Sequence, residues 1–131
     1  MQSTYDEIQF YKLGQKEKNQ IIKKLKKSIA NEKRIRLAII FGSITRRSNI
    51  RDVDLCIYSA PTLNFNELLN LNAQIELDLG MPVDLVELTN LPPQLRTDIL
   101  KNGTIIKGQK TFITQLLNQE HSRQVNPKLT R

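Results

Sequence analysis

The sequence contains few of the residues from which disulfide, zinc or base-stacking sites are built. Its 131 residues include one cysteine, one histidine and no tryptophan. One cysteine cannot form an internal disulfide, and because Cys56 lies inside an apolar run, we expect a small buried side chain in a reducing cytosol. No Cys/His cluster suggests zinc, and we expect His121 to be solvated. Four phenylalanines and three tyrosines argue against a base-stacking platform.

Long apolar runs are also missing, since no segment approaches the ~18 to 20 apolar residues of a membrane span. The N-terminus lacks the basic region and apolar core of a secretory signal, so we expect a cytoplasmic protein without a membrane partner. The length favours one domain with a single core. We place an N-terminal segment at 1–14, the domain at 15–119, and a polar tail, expected to be disordered, at 120–131.

The net charge of +7 is concentrated in one segment. Residues 16–36 hold nine lysines and arginines against two glutamates, which gives +7, so the rest of the chain sums to zero. A basic helix face can bind nucleic acid, an acidic protein or anionic lipid. The plain alternative is a solvated lysine face.

Apolar periodicity predicts a small α/β domain with one sheet. Predicted helices cover 15–31, 64–79, 92–102 and 110–119, and predicted strands cover 35–41, 52–58, 83–88 and 104–106. A capping box at Asn64 and a glycine at position 80 mark the ends of the second helix. The expected core stripes of the second and third helices comprise Phe65, Leu68, Leu69, Ile75, Leu79, Leu95, Ile99 and Leu100.

A pair of carboxylates stands where a predicted buried strand begins. Asp52 and Asp54 lie two residues apart, so along a strand they point the same way, at a Cα separation of roughly 6.5 to 7 Å. Two unit charges about 4 Å apart repel by roughly 4 kcal/mol at an effective dielectric of about 20. A bound hard cation removes that cost, and Mg²⁺ suits carboxylate oxygens better than Zn²⁺ does. One or two Mg²⁺ ions are therefore predicted here.

A glycine-serine turn precedes this carboxylate pair. Gly42 lets backbone approach a ligand closely, and the first turn of a short helix over 44–47 offers free N–H groups to a phosphate. Ser43 supplies a hydroxyl, while Arg46 and Arg47 can neutralise phosphate charge. The turn and the carboxylates together predict a nucleoside triphosphate site.

Asp84 is the third acidic candidate, at the start of another apolar run. If its strand lies beside the Asp52–Asp54 strand, the three carboxylates come together. Three carboxylates with two metals suit phosphoryl transfer, in which Asp84 would hold the catalytic metal and help deprotonate the attacking hydroxyl.

The order of these motifs resembles the nucleotidyltransferase superfamily that includes DNA polymerase beta, and most closely its small stand-alone members, the minimal nucleotidyltransferases. The resemblance covers roughly residues 20–108 and rests on Phe41-Gly42-Ser43, Arg46, Asp52-Val53-Asp54-Leu55 and Val83-Asp84-Leu85-Val86. It implies a mixed sheet flanked by helices and Mg²⁺-dependent transfer of a nucleoside monophosphate from ATP. It also implies nucleotide binding by Gly42, Ser43 and Arg46, and catalysis and metal binding by Asp52, Asp54 and Asp84.

The resemblance further implies a partner, because many small members are antitoxins of a helical HEPN-type ribonuclease toxin. Such a type VII-like antitoxin would add AMP to a tyrosine of its toxin, and the basic segment 16–36 could dock an acidic partner, in a homo- or hetero-oligomer. Two alternatives stay open: a non-catalytic antitoxin that acts by contact, and a transferase directed at nucleic acid. The nucleic-acid alternative predicts salt-sensitive binding.

Overall fold

A four-stranded sheet lies at the centre of the protein, with a pair of helices on each face. The computed structural model describes residues 11–12, 14–42, 49–50 and 52–125. In chain order the elements are β1 (Tyr11–Lys12), α1 (Gln15–Ile29), β2 (Ile35–Phe41), β3 (Asn49–Ile50), β4 (Val53–Ser59), α2 (Phe65–Leu79), β5 (Val83–Glu87), a 3-10 turn (Leu88–Asn90), α3 (Pro93–Asn102), β6 (Thr104–Lys107) and α4 (Lys110–Val125). The predicted α/β class with a mixed sheet flanked by helices is confirmed.

The strands of the central sheet follow the order β5-β4-β2-β6. β4 pairs with β5 in parallel, whereas β2 pairs antiparallel with both β4 and β6. β1 and β3 form a separate antiparallel ladder of two residues each. None of the helices in the described part of the chain is long and apolar enough to cross a membrane.

Alternate residues of the central strands belong to two separate hydrophobic cores, one on each face of the sheet. One core lies under α1 and α2, where Leu25, Ile29 and Ile75 pack on Leu55 and Ile57 of β4. The other core lies under α3 and α4 and includes Cys56 on the opposite face of β4. Because β2 and β4 face a core on both sides, their sequences are nearly continuous apolar runs.

The ends of α2 follow from local chemistry. The side chain of Asn64 accepts a hydrogen bond from the Glu67 backbone N–H at 2.8 Å, and the Glu67 carboxylate accepts one from the Asn64 N–H at 2.9 Å. At the other end Gly80 adopts a left-handed conformation with φ of 77°. The predicted capping box and glycine stop are confirmed.

Three side chains that were predicted to lie in the core are exposed instead, so these predictions are wrong. Phe65 is 73% exposed, Leu69 is 52% exposed, and Leu95 is 36% exposed. The buried stripe of α2 is instead formed by Leu71, Ile75 and Leu79. Leucines occur on several sides of α2, so its apolar periodicity alone does not choose the side that packs on the sheet.

Several element boundaries also differ from the predictions. α4 continues to Val125, six residues beyond its predicted end, because Glu120 is buried and pairs with Arg96 of α3 at 2.7 Å. The segment expected to be a disordered tail therefore begins as helix, and His121 lies exposed on it. The strand predicted from Asp52 begins at Val53, the strand predicted to reach 88 ends at Glu87, and β1 and β3 were not predicted. The short helix predicted over 44–47 lies outside the described residues.

Candidate active site

Two of the three predicted carboxylates are direct neighbours across the sheet. In the parallel pair β4–β5, Asp54 stands opposite Asp84. Residues paired in this way point to the same face, and adjacent strands lie about 4.8 Å apart. Their face is the α3/α4 side of the sheet, the side to which Cys56 also belongs. The strand that carries Asp84 therefore lies beside the strand that carries Asp54, as the role predicted for Asp84 required.

Asp52 lies at a bend directly before β4, so the start of this strand determines its position. The backbone N–H of Val53 donates to the carbonyl of Pro82 at 2.9 Å, which ties the start of β4 to the start of β5. Asp52 and Asp54 are both partly exposed, and Asp84 is exposed. All three carboxylates are thus accessible at one end of the sheet.

Helix α2 fixes the backbone on either side of Asp84. The Glu76 carboxylate accepts a hydrogen bond from the Val83 N–H at 2.8 Å, and the Asn72 side chain accepts one from the Leu85 N–H at 3.0 Å. These N–H groups belong to an edge strand, where they would otherwise lack a ladder partner. Sequence reasoning missed both side chains, because nothing in their spacing marks them as caps of a neighbouring strand.

Gly42 meets Asp54 at the end of β2. The last residue of β2, Phe41, pairs with Asp54, and Gly42 follows with φ of 76°. A Cβ at this glycine would lie 2.2 Å from the Oδ2 atom of Asp54. A side chain here would therefore collide with the carboxylate, so the glycine is needed both for its backbone conformation and for space.

The phosphate-binding half of the predicted site is described only at Gly42. Ser43, Arg46 and Arg47 lie outside the described residues. Within the described ranges, which include Asp52, Asp54 and Asp84, no three His, Cys, Asp or Glu side chains form a group that could hold a metal ion, so metal binding by all three carboxylates stays a prediction. The neighbouring donors are carboxylate oxygens, which suit Mg²⁺, an ion bound typically by one or two carboxylates and completed by water and substrate phosphates. The residues present therefore fit this ion.

Cys56 lies two residues beyond Asp54 on the same strand but has no part in this chemistry. It is a free, buried cysteine, as expected. Burial, with a smaller contribution from the charge of Glu87, raises the pKa of the Cys56 thiol to about 12. Its thiol is therefore protonated at neutral pH and is not a nucleophile.

Neighbouring carboxylates can supply ligands to the divalent metal ions that phosphatases, polymerases and nucleases use in phosphoryl transfer. The family model described as "Polymerase beta, Nucleotidyltransferase" matches residues 23–112. This match spans more than half of the chain, which therefore belongs to that nucleotidyltransferase family. A comparison with curated proteins finds no match.

Solved structures of toxin-antitoxin complexes share the fold. The chain is similar to a chain of the MntA-HepT complex, with 23% identity, a TM-score of 0.63 and coverage of 90% of this chain and 92% of that one. A chain from a toxin-antitoxin structure with AMP-PNP is 24% identical, with a TM-score of 0.66 and coverage of 87% of this chain and 91% of that one. A chain from the complex of tri-AMPylated Shewanella oneidensis HEPN toxin with MNT antitoxin is also 24% identical. Its TM-score is 0.62, and the match covers 89% of this chain and 91% of that one. At these identities the likeness shows the fold.

Proposed function

We propose that this protein is an Mg²⁺-dependent adenylyltransferase that moves AMP from ATP to a tyrosine hydroxyl of a HEPN-type toxin and thereby acts as an antitoxin. The family supports nucleotidyl transfer. One structural relative comes from a toxin-antitoxin structure with AMP-PNP, an ATP analogue, and another comes from a complex of an AMPylated HEPN toxin with its MNT antitoxin. Since the reaction uses ATP, we propose the cytoplasm as its compartment.

The three aspartates of the candidate active site each have a proposed role in the transfer of AMP. Asp52, Asp54 and Asp84 would hold Mg²⁺. When bound, Mg²⁺ neutralises phosphate charge and polarises the phosphate under attack. Asp84 would take the proton of the acceptor hydroxyl, whose oxygen forms a bond to the α-phosphorus of ATP. The bond from that phosphorus to the bridging oxygen breaks, and pyrophosphate leaves.

The observation that carries this proposal is the register of β4 and β5. Asp54 and Asp84 are 30 residues apart in sequence, yet they are paired in the sheet. Gly42, where the predicted phosphate-binding turn begins, completes the arrangement because it lies directly against the Asp54 carboxylate. A structural role alone does not explain two neighbouring acidic residues, one on an inner strand and one on the edge strand beside it.

The proposal is tested by following the two ends of ATP separately. The protein is incubated with Mg²⁺, the protein encoded beside it, and ATP labelled at either the α- or the γ-phosphate. We expect α-label on the partner and no γ-label, with both signals absent for Asp54→Asn. Transfer of γ-label would indicate a kinase, and unchanged α-labelling by Asp54→Asn would contradict the roles given to this site.

A further inference from the structure

A basic cleft opens at the end of the sheet opposite the carboxylates. It has a volume of about 750 Å³ and its basic residues are Lys33, Arg36 and Lys107. Register fixes its distance from the candidate active site: Phe41 pairs with Asp54 at one end of the β2–β4 ladder, and Ile35 lies opposite Ser59 at the other. Four strand residues, about 13 Å, separate Asp54 from the cleft residue Tyr58. The cleft is thus distinct from the site of transfer.

The fold brings these three cations together from separate parts of the chain. Lys33 lies in the turn before β2, Arg36 lies on β2, and Lys107 ends β6, which pairs with β2. Two of them are held by backbone carbonyls: Arg36 Nε donates to Ala60 at 3.2 Å, and Lys107 Nζ donates to Glu32 at 3.1 Å. These bonds position the cationic groups through neutral carbonyl oxygens, which do not neutralise their charges.

The contrast with Arg34, in the same segment, shows what distinguishes the cleft. Arg34 forms ion pairs with Glu32 at 3.2 Å and with Glu67 at 2.8 Å. Across the described ranges of the chain, no ion pair joins Lys33, Arg36 or Lys107 to a carboxylate. Three neighbouring like charges repel one another, so a ligand that supplies carboxylates gains both attraction and relief of that repulsion.

Aromatic and aliphatic side chains provide apolar surface in the same cleft. The Tyr58 and Phe112 rings meet edge to face, with centroids 5.4 Å apart and planes at 68°. The rings are partly exposed, and Ile35 lies buried beside them. Because these two rings contact each other, they are less suited to stacking on nucleobases than rings with free faces would be. Apolar surface between cations instead suits a peptide segment that combines acidic and apolar residues.

We propose that this basic cleft docks an acidic segment of the acceptor protein, an inference that rests on the proposed function. Substrate proteins that are modified at a hydroxyl must be held by contacts away from the reacting atoms, and such contacts lower the entropic cost of positioning the hydroxyl. Lys33 and Arg36 are also the C-terminal part of the basic segment noted in the sequence. Most lysines of α1 itself are exposed, whereas the cleft places its cations beside apolar surface.

The test compares two double variants with the same change in net charge. Lys33→Glu with Arg36→Glu reverses the cleft, while Lys23→Glu with Lys24→Glu reverses an exposed part of α1 outside it. Affinity for the co-encoded protein is measured by titration calorimetry, and circular dichroism checks folding. We expect the cleft variant to weaken binding at least tenfold and the α1 variant less than about threefold. Lys33→Gln with Arg36→Gln should give a smaller loss in the same direction.

Binding and label transfer separate this proposal from the proposed function. Wild-type protein that binds its partner through the cleft but transfers no AMP would remove the adenylyltransferase proposal and leave the docking site. Full binding by the cleft variant, equal losses in the two charge-reversal variants, or no binding by wild type would overturn the docking site. Loss of binding to a single-stranded RNA alone, with partner affinity intact, would assign the cleft to nucleic acid and also overturn it.

Discussion

Replacement of Gly42 by alanine should damage catalysis far more than it damages the fold. The glycine has φ of 76°, and an alanine in the left-handed region costs about 1 to 2 kcal/mol. The added Cβ would also lie 2.2 Å from Asp54 Oδ2, where real contacts of this kind are essentially never closer than 3.0 Å, so the carboxylate must retreat by about 0.8 Å. A displacement near 1 Å at a catalytic group can lower a rate about 100-fold, and we expect a loss of that size in kcat.

Gly80 provides a matched control for this experiment. It has nearly the same backbone conformation, with φ of 77°, but an added Cβ meets nothing within 4 Å. Gly80→Ala should therefore lose similar stability in urea denaturation while keeping its transfer rate. AMP transfer at saturating ATP and partner measures kcat for both variants. Activity of Gly42→Ala within about threefold of Gly80→Ala would refute the claim that this glycine makes room for a catalytic Asp54.

Three further predictions concern stability. Arg96→Ala should cost about 3 kcal/mol in urea unfolding because it removes the two-pronged partner of the buried Glu120 carboxylate and leaves it the exposed Arg123 at 3.2 Å, whereas Arg96→Met with Glu120→Leu should restore much of the loss. Burial raises the pKa of the Glu87 carboxyl against two hydrogen bonds from Ser59, so the folded state binds this proton more tightly than the unfolded chain does. Wild-type stability should fall as pH rises from about 4.5 through the raised pKa, and Glu87→Gln should lack that component in denaturation across pH. Asn64→Ala should lower the unfolding free energy by about 1 kcal/mol through loss of the α2 cap.

Each of these stability predictions has a clear contrary result. An Arg96→Ala variant as stable as wild type would mean that Arg123 alone is enough to stabilise the buried Glu120 carboxylate. Identical pH profiles for wild type and Glu87→Gln would show that another group causes the fall. A cap variant with unchanged stability would show that packing alone holds the first turn of α2.

Local signals in the sequence were enough for most of the fold. The bounds of β2 agree with the predicted 35–41 because an apolar run buried on both faces ends at a glycine. Asn64 and Gly80 mark the ends of α2 by chemistry that acts within one helical turn. The conditional prediction that Asp84 stands beside Asp54 depended on one strand pairing, and that pairing is confirmed.

The remaining features depend on contacts between distant parts of the chain. The extension of α4 follows from the ion pair between Glu120 and Arg96, whose partners are 24 residues apart. Exposure of Phe65 reflects the side of α2 that packs on the sheet, which leucine-rich periodicity leaves open. The basic cleft combines Lys107 with the basic segment only after β6 pairs with β2. None of these has a signature within a short window of sequence.

The mass of the co-encoded protein tests the central claim most directly. It is purified after coexpression with the wild-type chain, with Asp84→Asn, or alone, and its intact mass is measured. We predict increments of one or more adenylyl groups with the wild-type chain and none with Asp84→Asn, and tandem spectra should place the groups on tyrosine. An unmodified partner in the presence of the wild-type chain, or the same increments with Asp84→Asn, would contradict an adenylyltransferase built on Asp54 and Asp84.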